Sequence, residues 1–131
     1  MNDRKLLELA AKAGGISGEY DFLFENIVVY DNDYQKGEYL WNPLTDDGDA
    51  FRLAVKLGLS IDQRDSVAVA GDFRATPVLV ANETHNQDPY AATRRAIVRA
   101  AAEVGKDMRP FPSVEEIEQL ANMDGKPEWM K

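Results

Sequence analysis

Trp41-Asn42-Pro43-Leu44-Thr45-Asp46-Asp47-Gly48-Asp49-Ala50-Phe51-Arg52-Leu53-Ala54-Val55-Lys56-Leu57-Gly58 and Asp88-Pro89-Tyr90-Ala91-Ala92-Thr93-Arg94-Arg95-Ala96-Ile97-Val98-Arg99-Ala100-Ala101-Ala102-Glu103-Val104-Gly105 are the two best-marked stretches of this chain. Each predicts a helix with its entry turn. In the first, Asn42-Pro43 makes the turn and Thr45 is the expected cap. Asp46, Asp47 and Asp49 sit in the first turn, where the helix dipole favours negative charge. Ala50, Leu53, Ala54 and Leu57 form an apolar face, widened by Phe51 and Val55, and Gly58 supplies the stop. In the second, Asp88 caps and Pro89 takes the first helical position, with φ pre-set for entry. Tyr90, Ile97, Ala101 and Val104 give the expected core side. The alanines between Ala96 and Ala102 permit close packing on a sheet, and Gly105 is the expected end.

Working outward, residues 3–13 read as a first helix, with Leu6, Leu9, Ala10 and Ala13 at helical spacing and Leu7 beside them. Asn2 or Asp3 caps it and Gly14-Gly15 stops it. Extended segments follow near 20–24 and 26–31. Ile27-Val28-Val29-Tyr30 is a continuous apolar, β-branched run, which predicts a strand buried on both faces. The polar turn from Asp31 to Gly37 closes a hairpin onto Tyr39-Leu40-Trp41. After the second helix come three short strands, Leu59–Ile61, Ser66–Ala70 and Thr76–Ala81, with Pro77 suited to a strand start or an edge. Asn82 to Gln87 reads as a polar loop. Ser113 with Glu116 forms a capping box for a last helix over 114–122. The expected architecture is α+β: an antiparallel or mixed sheet of about five strands packed by three to four helices. It forms a single domain over residues 1–123, with 124–131 as a loose tail.

The chain has 131 residues, enough for one domain with a real core. It carries no cysteine, which removes disulfides, thiolate nucleophiles and thiolate zinc sites. Met1-Asn2-Asp3-Arg4-Lys5 runs straight into an amphipathic helix, so no secretory leader is expected, and no apolar run approaches the roughly 20 residues of a membrane span. With 23 acidic against 15 basic side chains the net charge is −8. Such a chain lacks the counterion-release term that drives most nucleic-acid binding, so direct binding of nucleic acid is disfavoured. The acidic balance serves solubility, or presents a surface to a basic patch on a partner protein.

Few residues carry recognisable chemistry. His85 is the only histidine. It lies in a polar lead into Asp88-Pro89-Tyr90, which fits a helix-entry loop better than a catalytic site, where a nucleophile or orienting carboxylate must stand close. Asp31, Asp33 and Glu38, and separately Asp46, Asp47 and Asp49, crowd acidic groups together, but neither set has the register of a calcium loop. No cofactor is implied, for there is no glycine-rich phosphate loop. Two candidate binding sets remain. Arg94, Arg95 and Arg99 lie on one helix, Arg95 and Arg99 four apart on a shared face, suited to holding an anionic ligand or to pairing with acidic neighbours such as Glu103. Tyr34, Tyr39, Trp41, Phe73 and Trp129 are more aromatics than one core needs. Tyr39 and Trp41 are the expected interface anchors.

The two quoted segments together resemble a family of small tailed-phage proteins of unassigned function, a phage α/β sandwich domain. The resemblance is strongest over 41–58 and 88–105 and looser over the first helix. It implies a phage-encoded accessory protein acting in the bacterial cytoplasm, where such proteins often neutralise host defences. The leading expectation is a non-enzymatic protein that binds and inhibits a bacterial host defence component. The alternative is an oligomeric binder of an anionic, nucleotide-type small molecule on Arg94, Arg95 and Arg99. A small hydrolase built on His85 is a third.

Overall fold

The computed structural model describes residues 1–30 and 38–108. The expected turn at 31–37, the capping box at Ser113, the helix at 114–122, the tail at 124–131, and Tyr34 and Trp129 lie outside the described residues.

The first helix, α1 (Asp3–Ala13), starts where Asn2 Oδ1 accepts the Lys5 backbone N–H at 2.8 Å. It buries Leu6, Leu7, Ala10 and Ala11. β1 (Gly18–Asp21), β2 (Asn26–Tyr30) and β3 (Glu38–Trp41) form an antiparallel meander in that order. Tyr20 stands opposite Ile27, and Ile27 opposite Trp41, so these side chains share one face of the sheet. α1 packs on this sheet. The β2 run is not buried on both faces: Ile27 and Val29 are buried, while Val28 is half-buried and Tyr30 exposed. Among the described residues a helix packs on one side of the sheet, so a strand of apolar residues ends up with one wet face.

α2 (Asp47–Leu57) is capped by Asp46 rather than Thr45: Asp46 Oδ2 accepts the Asp49 N–H at 2.8 Å. Gly58 ends it in the left-handed conformation at φ 66°, open to glycine without strain. Ala50, Leu53 and Ala54 are buried, but Phe51 and Val55 face outward instead of widening the core face. β4 (Ser60–Arg64), β5 (Val67–Asp72) and β6 (Leu79–Thr84) form a second antiparallel meander. β4 runs three residues beyond the expected Ile61, and β6 extends through Thr84 into the expected loop.

α3 (Pro89–Asp107) is the central element, between α1 on one side and β5 and β6 on another. Asp88 Oδ1 accepts the Ala91 N–H at 3.0 Å, with Pro89 in the first turn, as expected. Ala96, Ala100, Ala101 and Ala102 are all buried, and Ala68, Ala70 and Ala81 of the second sheet are buried with them in one core. Small residues on both surfaces let the backbones approach. The extreme case is Gly105. A side-chain carbon there would overlap the Leu9 carbonyl oxygen of α1. Gly105 is therefore a contact point inside the helix, not its stop, and α3 continues to Asp107. Tyr90 leaves the core side altogether and is exposed.

The expectation of one sheet of about five strands is thus corrected to two three-stranded antiparallel sheets and three helices among the described residues. The reason is local. Each trio of strands is joined by short connections and has its own helix cover, α1 for the first and α3 for the second, and α2 interrupts the chain between them. Buried residues of both sheets and all three helices nevertheless merge into a single apolar core. No helix of the described residues is long and apolar enough to cross a membrane.

Candidate functional site

The three arginines of α3 are brought to its flank, and each is held by the protein itself. Arg94 donates from Nε to the Leu44 carbonyl at 2.8 Å and from Nη1 to Asp47 Oδ1 at 2.7 Å. This pins α3 to the turn that leads into α2. Arg95 donates to Asp3 Oδ1 at 3.1 Å, tying α3 to the start of α1, and its Nε lies 3.7 Å from Glu83. Arg99 Nη1 donates to the Asn82 carbonyl and to Glu83 Oε1, both at 2.8 Å. Arg95 and Arg99 do share a face, as their spacing predicts, and Glu83 of β6 sits between them. Glu103 pairs with Lys106 at 2.9 Å instead. An anion approaching this helix must displace carboxylates already in place.

Trp41 is not offered to a partner. It is 5% exposed and belongs to the core, so its assignment as an interface anchor is corrected. The cause is register: Trp41 stands opposite Ile27 on the covered face of the first sheet. Tyr39 lies two residues back on the same face and remains exposed beside a hollow bounded by Gly14, Ile16 and Lys56. The next residue, Asn42, is a buried polar node. Its side-chain amide donates to the Glu25 carbonyl at 3.1 Å and to Asn26 Oδ1 at 2.5 Å. Its Oδ1 accepts the Leu44 N–H at 2.9 Å, and its own backbone N–H reaches Asp49 Oδ2 at 3.0 Å. Pro43 is fully buried. The stretch from Trp41 to Asp49 is therefore occupied almost residue by residue in joining the first sheet to α2.

The acidic cluster at that helix start is likewise spoken for. Asp46 caps, Asp47 holds Arg94, and Asp49 accepts from Asn42 and from Arg52 at 2.8 Å. Among the described residues no three His, Asp or Glu side chains converge as metal ligands would. His85 Nε2 is 2.9 Å from Gln63 Oε1. Gln63 in turn donates to Thr93 Oγ1 at 2.5 Å, and Thr93 donates to the Pro89 carbonyl at 2.6 Å. The amide oxygen can only accept, so it fixes the proton on Nε2. This chain of bonds fastens β4 to the entry of α3. Neither Thr84 nor Asp88 bonds the ring.

Beside that chain lies the one feature the helix patterns did not anticipate. α3 covers β5 and β6 but leaves the inner face of β4 open. Ile61 of β4, Phe51 of α2 and Tyr90 of α3 consequently wall an apolar groove of about 530 Å³, with Ala50 and Ile97 at its base. Phe51 is 64% and Tyr90 71% exposed. Both were assigned to core faces on helical periodicity. The available signal was that each lies at the edge of its apolar stripe, where coverage depends on how far the neighbouring element extends.

No known protein family, curated protein or solved structure matches this chain.

Proposed function

We propose that this protein is a non-enzymatic binding module that docks on a bacterial host protein through the Phe51–Ile61–Tyr90 groove. On the phage setting implied by its two resembling segments, the partner is a host defence component that docking inhibits. The observation that carries the reading is the groove: large aromatic side chains left in water over a concave, apolar floor. Such groups act as interface anchors because a few buried aromatics dominate binding energy. The negative charge of the whole chain steers it toward a basic partner.

The anion-binding alternative has no comparable support, because Arg94, Arg95 and Arg99 each satisfy an internal carboxylate or carbonyl. Hydrolysis at His85 lacks a partnered nucleophile among the described residues, its ring facing an amide.

The test is affinity capture from bacterial lysate with the chain and with a Phe51→Ser/Tyr90→Ser variant, read by mass spectrometry. A protein recovered near one-to-one by the first and lost by the second is the expected result. A partner retained by the variant removes the groove from the contact. A partner lost equally on Arg95→Glu, with folding intact, returns the arginine flank to consideration.

A further inference from the structure

A second apolar feature lies away from the groove, at the tip of the β1–β2 hairpin. Turns of this kind normally carry Gly, Asn, Asp, Ser or Pro, for conformational and solvation reasons. Here the tip reads Asp21-Phe22-Leu23-Phe24-Glu25. Phe22 is 69%, Leu23 84% and Phe24 58% exposed. A run of three large exposed apolar residues contradicts the patterning that keeps a surface soluble.

The tip is also built to hold its shape. Asp21 Oδ1 accepts the backbone N–H of Leu23 at 2.8 Å and of Phe24 at 3.1 Å, and the Asp21 carbonyl accepts the Glu25 N–H at 2.8 Å. Glu25 takes φ 55° to close the turn. Phe22 is braced from below: its ring meets Tyr20 edge-on at 5.2 Å, and the Arg4 guanidinium stands 4.7 Å from its centroid. A pre-ordered apolar tip loses little conformational freedom on insertion, which is what an anchor needs.

The surrounding charge says what it inserts into. From Gly18 to Asn26 the hairpin carries Glu19, Asp21 and Glu25 and no lysine or arginine. Arg4, the cation against the rings, is already paired with Glu8 at 3.1 Å. An acidic collar opposes an anionic membrane surface, and it opposes a second copy of the same hairpin.

We propose that Phe22-Leu23-Phe24 is an insertion element that seats in an apolar pocket of a partner protein rimmed by lysine or arginine. This rests on the reading of the chain as a protein-binding module but not on the groove. Photo-crosslinking tests it, with p-benzoylphenylalanine placed at position 23 in one full-length chain and at position 90 in another. Both are exposed with bacterial lysate at low and at high salt. The expected result at position 23 is a cross-link to another protein, mapped to apolar residues flanked by Lys or Arg and weakened by salt. Leu23→Glu then lowers affinity for that protein about tenfold or more, with an unchanged melting temperature. A cross-link from position 23 to residues 109–131 of the same chain, or to a second copy, overturns the proposal. So does co-sedimentation with phosphatidylglycerol vesicles that Leu23→Glu abolishes. Cross-linking from position 90 alone overturns the tip and leaves the groove standing. Silence at both positions overturns both.

Discussion

The arginine flank of α3 and the two exposed apolar patches have opposite relations to the fold. Arg94, Arg95 and Arg99 look uncommitted in the sequence and are all partnered in the structure, each clamping a different element to α3. Phe51, Tyr90 and Phe22 to Phe24 look like core or strand and are left in water. A charged side chain on a helix has long reach and finds a counter-ion on whatever packs beside it. An apolar one at the edge of a stripe has no such freedom, and it stays exposed if the neighbouring element stops short. Of these two sets, the apolar one is therefore the one left uncommitted by the fold.

The sharpest way to break that contrast is to part α1 from α3, on which the Arg95 clamp to Asp3 depends. Gly105→Leu drives a side chain into the Leu9 backbone. It should cost at or above the usual overpacking range of about 1–3 kcal/mol, seen as a large fall in chemical-denaturation midpoint. Asn42→Ala comes next. It removes the side-chain bonds to Glu25, Asn26 and Leu44 and leaves buried groups unpaired, with an expected loss of about 2–3 kcal/mol. Within the arginine set, Arg94→Ala should cost more than Arg99→Ala, because Arg94 is the less exposed of the two, at 19% against 44%. About 1–2 kcal/mol is expected for the first, against less than about 1 kcal/mol for the second. Urea melts of the two variants side by side check the order.

The smallest effect is in acid. The Arg74 backbone N–H, donated to Asp72 Oδ1 at 3.0 Å and aided by the Arg74 guanidinium, holds the Asp72 carboxyl below its ordinary value. A depressed carboxyl contributes stability above its unfolded pKa, about 3.9, and that contribution is lost as pH falls through the folded value. Asp72→Asn should therefore lower stability slightly at neutral pH, and the difference from the parent should begin to shrink only below about pH 4. Carbon-13 titration of the Asp72 carboxyl reads the shift directly.

Much of the helical part was legible. Asp88-Pro89, Asn2 and Gly58 act through local backbone geometry, which sequence reports faithfully. Gly105 misled because a helical glycine has two meanings, an end or a close approach, and only the position of Leu9 decides between them. Thr45 and Asp46 both suit a cap, and backbone dihedrals chose Asp46. The separation into two sheets was hidden because hydrogen-bond pairing between strands is non-local. Trp41 shows the same limit: its burial follows from standing opposite Ile27, a register the sequence does not state. Of the candidate site residues, Tyr39 stays exposed, while Trp41 and the three arginines serve the fold. Phe22-Leu23-Phe24 was read as part of an extended segment, since apolar runs predict strands and nothing in a run says where the chain turns.

The central claim is that the apolar groove at Tyr90 is a binding surface and that the arginine flank is structural. The most direct test compares the affinity of Tyr90→Ser and of Arg95→Glu for the captured bacterial partner, with thermal melts confirming that both fold. The account predicts at least about a tenfold loss for Tyr90→Ser, and near-parent binding for Arg95→Glu. Near-parent binding by Tyr90→Ser with a large loss in Arg95→Glu would contradict it.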